Sequence, residues 1–169
     1  SLARLFNAED PKQIVFTLNC SDALNAAIKG VLKHGDHVLI SSIEHNSIVR
    51  PLRSLERQGI EVEVVPVDPK TYAVDPQEVS KRFKKNTKLV AMLHASNVIG
   101  ALQPTGEIGA ETKKRAILFL VDAAQTAGIY DIDVQSMNID LLAFAGHKGL
   151  MGPQGTGGLY IRKGVEINP

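Results

Sequence analysis

The sequence holds one cysteine, Cys20, so it cannot build an internal disulfide framework, and that usage fits a reducing compartment. It also lacks an excess of either charge: 19 lysines and arginines face 18 aspartates and glutamates, a formal net charge of +1. That balance gives no general attraction for nucleic acid or an anionic membrane. No apolar run approaches the roughly 18 residues of a membrane span. The first ten residues show neither the apolar core nor the cleavage pattern of a signal peptide. These absences predict a cytoplasmic protein with no nucleic-acid and no membrane partner. One local basic cluster, Lys81, Arg82, Lys84 and Lys85, falls at a predicted helix end, where cations suit the helix dipole.

What is present is ordinary for a globular chain: 44% hydrophobic and 22% charged residues over 169 positions, enough for one core. Apolar runs at 14–18, 37–41, 61–67, 88–94, 117–121, 141–144 and 159–162 read as strands. Between them, residues 21–32, 47–58, 75–83 and 105–115 carry helical periodicity, the last weakened by two glycines. The alternation predicts an α/β fold, a mostly parallel but mixed central sheet with helices on both faces. No repeat, low-complexity tract or linker divides the chain, so 1–169 is expected to be a single domain.

Two strand ends carry chemistry. Asp122 closes the run 117–121 and is followed by Ala123-Ala124-Gln125; Gly146-His147-Lys148 follows the run 141–144. An acid and a lysine so placed can converge at the carboxyl edge of the sheet, where ligands sit. Each has a plainer alternative, a capping aspartate and a solvated lysine. The glycines after Lys148 do not form a phosphate loop, which needs them before the lysine and Ser or Thr after it. No G-x-G-x-x-G separates the first strand and helix, and the five histidines form no metal-ligand pattern with Cys20. His34 and His37 are expected to be surface or strand-end residues.

Five motifs in order resemble the pyridoxal-phosphate-dependent class V aminotransferase family of fold-type I, in its cysteine desulfurase and selenocysteine lyase branch. They are Phe16-Thr17-Leu18-Asn19-Cys20-Ser21-Asp22-Ala23-Leu24-Asn25, Glu44-His45-Asn46-Ser47, His94-Ala95-Ser96-Asn97-Val98-Ile99-Gly100, the Asp122 segment, and the glycine-rich stretch from Gly146 to Gly158. The resemblance implies pyridoxal 5'-phosphate as cofactor and a catalytic set of Lys148, His45 and Asp122. Lys148 matches the Schiff-base lysine, an amine that must become neutral to attack an aldehyde. Asp122 matches the partner of the pyridine nitrogen, and His45 the histidine stacked on the ring. Gln125 and Asn97 match residues near the phenolic oxygen, although either could instead stabilise its own turn. Asn19, Cys20 and Ser21 occupy the phosphate-binding stretch at a helix start, with His147 as a further phosphate contact. Asn19 and Cys20 stand where relatives commonly have glycine and threonine, and Ala145 where many have serine.

By the same resemblance the chain is a large-domain fragment, without the amino-terminal segment and the small carboxy-terminal domain. The arginine for the substrate carboxylate and the sulfur-accepting cysteine would lie there; Cys20, inside the phosphate motif, is expected to pack rather than accept sulfur. The implied reaction removes sulfur or selenium from cysteine or selenocysteine to leave alanine, with a sulfur-acceptor protein as partner and a homodimer at full length. The fragment alone is expected to be inactive. A class V amino-acid aminotransferase, or a non-catalytic binding or assembly domain, are the alternatives.

Overall fold

The computed structural model describes residues 1–168. Its strands are β1 (Ile14–Thr17), β2 (His37–Ser41), β3 (Glu61–Val65), β4 (Thr87–Leu93), β5 (Leu118–Asp122), β6 (Leu141–Ala145) and β7 (Gly157–Ile161). The helices are α1 (Leu2–Leu5), α2 (Cys20–Val31), α3 (Asn46–Glu56), α4 (Pro76–Lys81) and α5 (Thr105–Lys114). All seven strands join one sheet in the order β1-β7-β6-β5-β4-β2-β3. From β3 to β6 the neighbours are parallel, whereas β7 pairs antiparallel with both β6 and β1.

The central strands are apolar along their whole length because both faces are covered. Every residue of β2 and β6 is buried. Successive side chains enter opposite cores: Leu89 and Ala91 meet α2 and α3, while Val90 and Met92 join the cluster holding Val79 of α4 and Ile108 of α5. On α2, Ala23, Leu24, Ala27, Ile28 and Val31 form the buried stripe, and Ser21, Asp22 and Lys29 face water. Truncating a fully buried leucine such as Leu24 typically costs about 2–5 kcal/mol.

The departures from the predicted boundaries have local causes. β3 stops at Val65 because Val67 leaves the sheet to bridge Val74. The short α1, with Ser1 accepting from the Arg4 N–H, and the 3-10 turn Pro11–Gln13 capped by Asp10, carry too little periodicity to be read from sequence. α5 is a full helix despite its glycines: a Cβ on Gly109 would overlap the Met137 carbonyl oxygen, so that glycine permits close packing. The basic cluster is largely neutralised. Lys81 pairs with Glu78 at 2.7 Å, Arg82 with Glu63 at 3.3 Å, and Lys84 with Glu61 and Glu63 at 2.7 Å each.

No helix among the described residues is long and apolar enough to cross a membrane.

Candidate active site

The carboxyl ends of β2, β4, β5 and β6 open on one side of the sheet, beside the reversal of strand order between β2 and β4. Loops leaving a parallel sheet diverge at such a point and leave a crevice. Here they border a cavity of about 300 Å³, at the small end of the usual range for ligand sites of roughly 300–1,000 Å³. Every residue singled out in the sequence lines it: Asn19, Cys20 and Ser21, His45, Asn97, Asp122 with Gln125, and His147 with Lys148. Leu24, Leu93, Ala95, Ala124 and Ala145 make part of the wall apolar, and Ser47 completes it.

Asp122 ends β5 and is buried at 5% exposure. Its Oδ1 accepts the Ala124 N–H at 2.8 Å and the Cys20 thiol at 3.3 Å. Oδ2 has no partner among the described residues and is left for the cavity. The aspartate therefore does serve its own turn, as the plainer sequence reading allowed, but with one oxygen only. Cys20 does more than pack, since its thiol reaches the carboxylate.

At the start of α2, Asn19 is the cap. Its side chain accepts the Asp22 N–H at 2.9 Å, and Asp22 accepts the Leu18 N–H at 3.1 Å in return. The N–H groups of Cys20 and Ser21 have no partner among the described residues. With the exposed Ser21 hydroxyl, they form a cup suited to an anion. Gly157 of β7 lets this turn approach the sheet: a Cβ there would fall 2.5 Å from the Asn19 carbonyl carbon.

His45 caps α3, its Nδ1 accepting the Ser47 N–H at 3.1 Å. Beside it, Glu44 accepts from the Ser41 hydroxyl at 2.5 Å and from the Leu93 N–H at 2.9 Å, tying the turn after β2 to the end of β4. Burial pushes the Glu44 carboxyl up to about 8, and the charge of Asp122 adds to the rise. Neither Asn97 nor Gln125 makes a side-chain hydrogen bond among the described residues. The turn carrying Asn97 is held instead by Ser96, whose hydroxyl accepts the Val98 and Ile99 N–H groups at 3.3 and 3.4 Å. His147 and Lys148 are exposed in the turn after β6. His94 faces away, with Nδ1 at 3.0 Å from the Thr126 hydroxyl.

Sequence reading assigns no role to Ser47, which lines the cavity, or to Glu44, which braces the turn carrying His45. Their signal was the short motif around His45, but their partners lie on other elements. His37, Glu61 and Glu63 also cluster at the opposite sheet edge. The Lys84 ammonium already bridges both carboxylates there.

These residues suit a phosphorylated, planar, nitrogen-containing cofactor. There is an anion cup, an aspartate with one free oxygen, an amine in the turn after the next strand, and two uncommitted amides.

Comparison with known proteins points the same way. The model of the family described as Aminotransferase class-V matches residues 1–169. A cysteine desulfurase IscS of Methanosarcina thermophila is 42% identical over 164 residues, covering 95% of this chain and 40% of the relative. Cysteine desulfurase IscS of Dictyoglomus turgidum is 38% identical over 161 residues, covering 93% of this chain and 40% of that protein. Among solved structures, the apo cysteine desulfurase of Thermococcus onnurineus NA1 superposes with a TM-score of 0.92 at 36% identity, covering 99% of this chain and 43% of that one. SspA in complex with cysteine gives 0.92 at 35%, covering 99% and 49%. The chain thus spans about 40% of the length of the curated relatives it matches.

Proposed function

The chain belongs to the aminotransferase class-V family, whose members depend on pyridoxal phosphate, and on that premise we propose that its cavity is the cofactor site of a cysteine desulfurase-like enzyme. One observation carries the reading: Asp122, Lys148 and His45 leave three different strands and line the same cavity. Bound there, the cofactor supplies a sink for the electrons released at a substrate α-carbon.

The residues divide the remaining work. Lys148, which lines the cavity, would hold the cofactor through its amine and, when free, would serve as the base for a substrate α-proton. Asp122 Oδ2 would keep the ring nitrogen protonated, because Oδ1 is occupied by Ala124 and Cys20. His45, which lines the same cavity, would stack on the ring and carry protons for it. Asn97 and Gln125 offer amide donors to the phenolic oxygen without adding charge. The first turn of α2, from Asn19 to Ser21, takes the phosphate together with His147.

Residues 1–169 form the cofactor-binding large domain in this reading. The whole protein takes sulfur from cysteine, or selenium from selenocysteine, leaving alanine and passing the chalcogen to an acceptor protein. It works as a homodimer, and the single free cysteine of this segment is in keeping with a reducing compartment such as the cytoplasm. Sulfur chemistry is preferred over transamination because the relatives at 38–42% identity are named cysteine desulfurases.

The test is a titration with pyridoxal phosphate followed by absorbance, borohydride reduction and peptide mapping. A phosphopyridoxyl group on Lys148 is expected, and its absence from a folded protein overturns the cofactor reading. Alanine and sulfide formation from cysteine by the full-length protein tests the reaction.

A further inference from the structure

Three side chains from two helix starts form a continuous chain along the cavity wall. Ser21 Oγ, in the first turn of α2, lies 2.5 Å from Ser47 Oγ, in the first turn of α3. Ser47 Oγ lies 2.9 Å from His45 Nδ1. The Ser47 backbone N–H donates to that same nitrogen at 3.1 Å. All three residues line the cavity.

The proton count fixes what this chain can do. A backbone N–H keeps its proton, so His45 Nδ1 must accept, and the proton of the neutral ring sits on Nε2. The Ser47 hydroxyl has one proton and two neighbours that can take it, His45 Nδ1 and Ser21 Oγ. When it goes to Nδ1, Ser21 donates to Ser47 and turns its lone pairs outward. When Ser21 donates to an anion in the cup, Ser47 donates to Ser21, and Nδ1 keeps only its backbone donor. Filling the cup therefore reverses two hydroxyls and withdraws one donor from the imidazole.

We propose that Ser47 is a positioning residue joining the two halves of the site: its backbone N–H fixes the tautomer of His45, and its hydroxyl, through Ser21, couples that ring to the anion held at the start of α2. The inference rests on the reading of the cavity as a pyridoxal-phosphate site only for the identity of that anion. Ser47→Ala is a clean probe, because it keeps the N–H that caps α3 and removes only the link. Ser47→Thr restores a hydroxyl.

The experiment is imidazole nitrogen NMR of the protein at about pH 8.5, two units above the ordinary histidine titration. Inorganic phosphate is the first titrant and pyridoxal phosphate the second. In the unsubstituted protein, His45 is expected as the Nε2–H tautomer, with an Nδ1 resonance that moves as phosphate binds. Ser47→Ala keeps the tautomer, loses at least half of that movement, and weakens phosphate binding about three- to tenfold, the worth of one hydrogen bond. Ser47→Thr recovers both. Ser21→Ala with Ser47→Ala binds phosphate no more weakly than Ser21→Ala alone, since Ser47 reaches the anion only through Ser21. The proposal is overturned if Ser47→Ala matches the unsubstituted protein in resonance movement and affinity, or if the two losses add. Adduct formation on Lys148 with a silent Ser47→Ala rejects the relay and keeps the cofactor reading. A working relay with no adduct on Lys148 rejects the cofactor reading and keeps the relay.

Discussion

Cys20 Sγ donates to Asp122 Oδ1 across 3.3 Å, linking the first turn of α2 to the end of β5 beneath the cavity. Cys20 as a whole is 7% exposed. Burial holds its pKa well above the ordinary thiol range, the Asp122 charge and hydrogen bond raise it further, and Lys148 opposes them weakly. Cys20 is thus a protonated donor that, with the Ala124 N–H, engages Asp122 Oδ1 and leaves Oδ2 without a partner among the described residues.

A thiol held this way is a poor nucleophile. Cys20 is expected to react with a thiol reagent at least about tenfold more slowly in the native protein than in denaturant. It is also expected to carry no persulfide after incubation with cysteine and pyridoxal phosphate. Mass spectrometry of the intact protein reads both. Rapid native labelling or a persulfide on Cys20 would give it the sulfur-accepting role denied here.

Glu44 gives a pH signature of the opposite kind to a surface carboxylate. Its carboxyl is raised to about 8, chiefly by burial, so the folded state holds a proton that the unfolded chain has released. Its contribution is fully present below the ordinary glutamate value of about 4.3 and is lost as pH rises toward and through the folded value. Glu44→Gln does not titrate. Its stability relative to the unsubstituted protein is expected to improve from pH 5 to pH 8, by up to about 1.4 kcal/mol per pH unit. Urea midpoints across that range measure it, and a difference independent of pH refutes it.

Much of this site was legible because its chemistry follows strands that are easy to see. β2, β4, β5 and β6 are nearly continuous apolar runs, so Asp122 and Lys148 could be placed at one sheet edge without knowing the strand order. The order itself was hidden, since local pattern does not say that β7 returns antiparallel between β6 and β1. Ser47 and Glu44 were missed for a related reason. Ser47 matters through Ser21, 26 positions away, and Glu44 through Leu93, 49 positions away. In the sequence Gly109 is only one of two glycines that weaken a helix, because the Met137 carbonyl it accommodates belongs to another segment.

At the opposite sheet edge, His37 is fully buried, with Nδ1 at 2.8 Å from the Thr87 hydroxyl. Burial lowers its pKa, the Lys84 charge adds to the fall, and Glu61 and Glu63 oppose it. Burial lowers His94 in the same direction. A histidine depressed in the folded state contributes stability that is present above about pH 6.5 and lost as pH falls through the folded value. Glu44 acts in the opposite direction over the same window, so the histidine effect is read as a difference: from pH 7.5 to pH 5.5 the urea midpoint of His37→Gln, which cannot take up the proton, is expected to rise relative to that of the unsubstituted protein. A difference independent of pH would clear His37 of the effect.

Gly157 tests whether the anion cup depends on close backbone approach. A Cβ there would lie 2.5 and 2.7 Å from the Asn19 carbonyl carbon and Cα, and 2.9 Å from the Phe144 carbonyl oxygen. None of these is the end of a flexible side chain, so the backbone itself must move. Gly157→Ala is expected to cost about 1–3 kcal/mol, as overpacking usually does, and to weaken phosphate and pyridoxal-phosphate binding by displacing Asn19 and the N–H groups that follow it. Gly106 of α5 is the control, because nothing lies within 4 Å of a Cβ built there. Gly106→Ala is expected to be neutral or to stabilise the helix by up to about 1 kcal/mol, with ligand binding unchanged. If both substitutions have the same effect on stability and binding, the cup does not depend on how closely β7 passes α2.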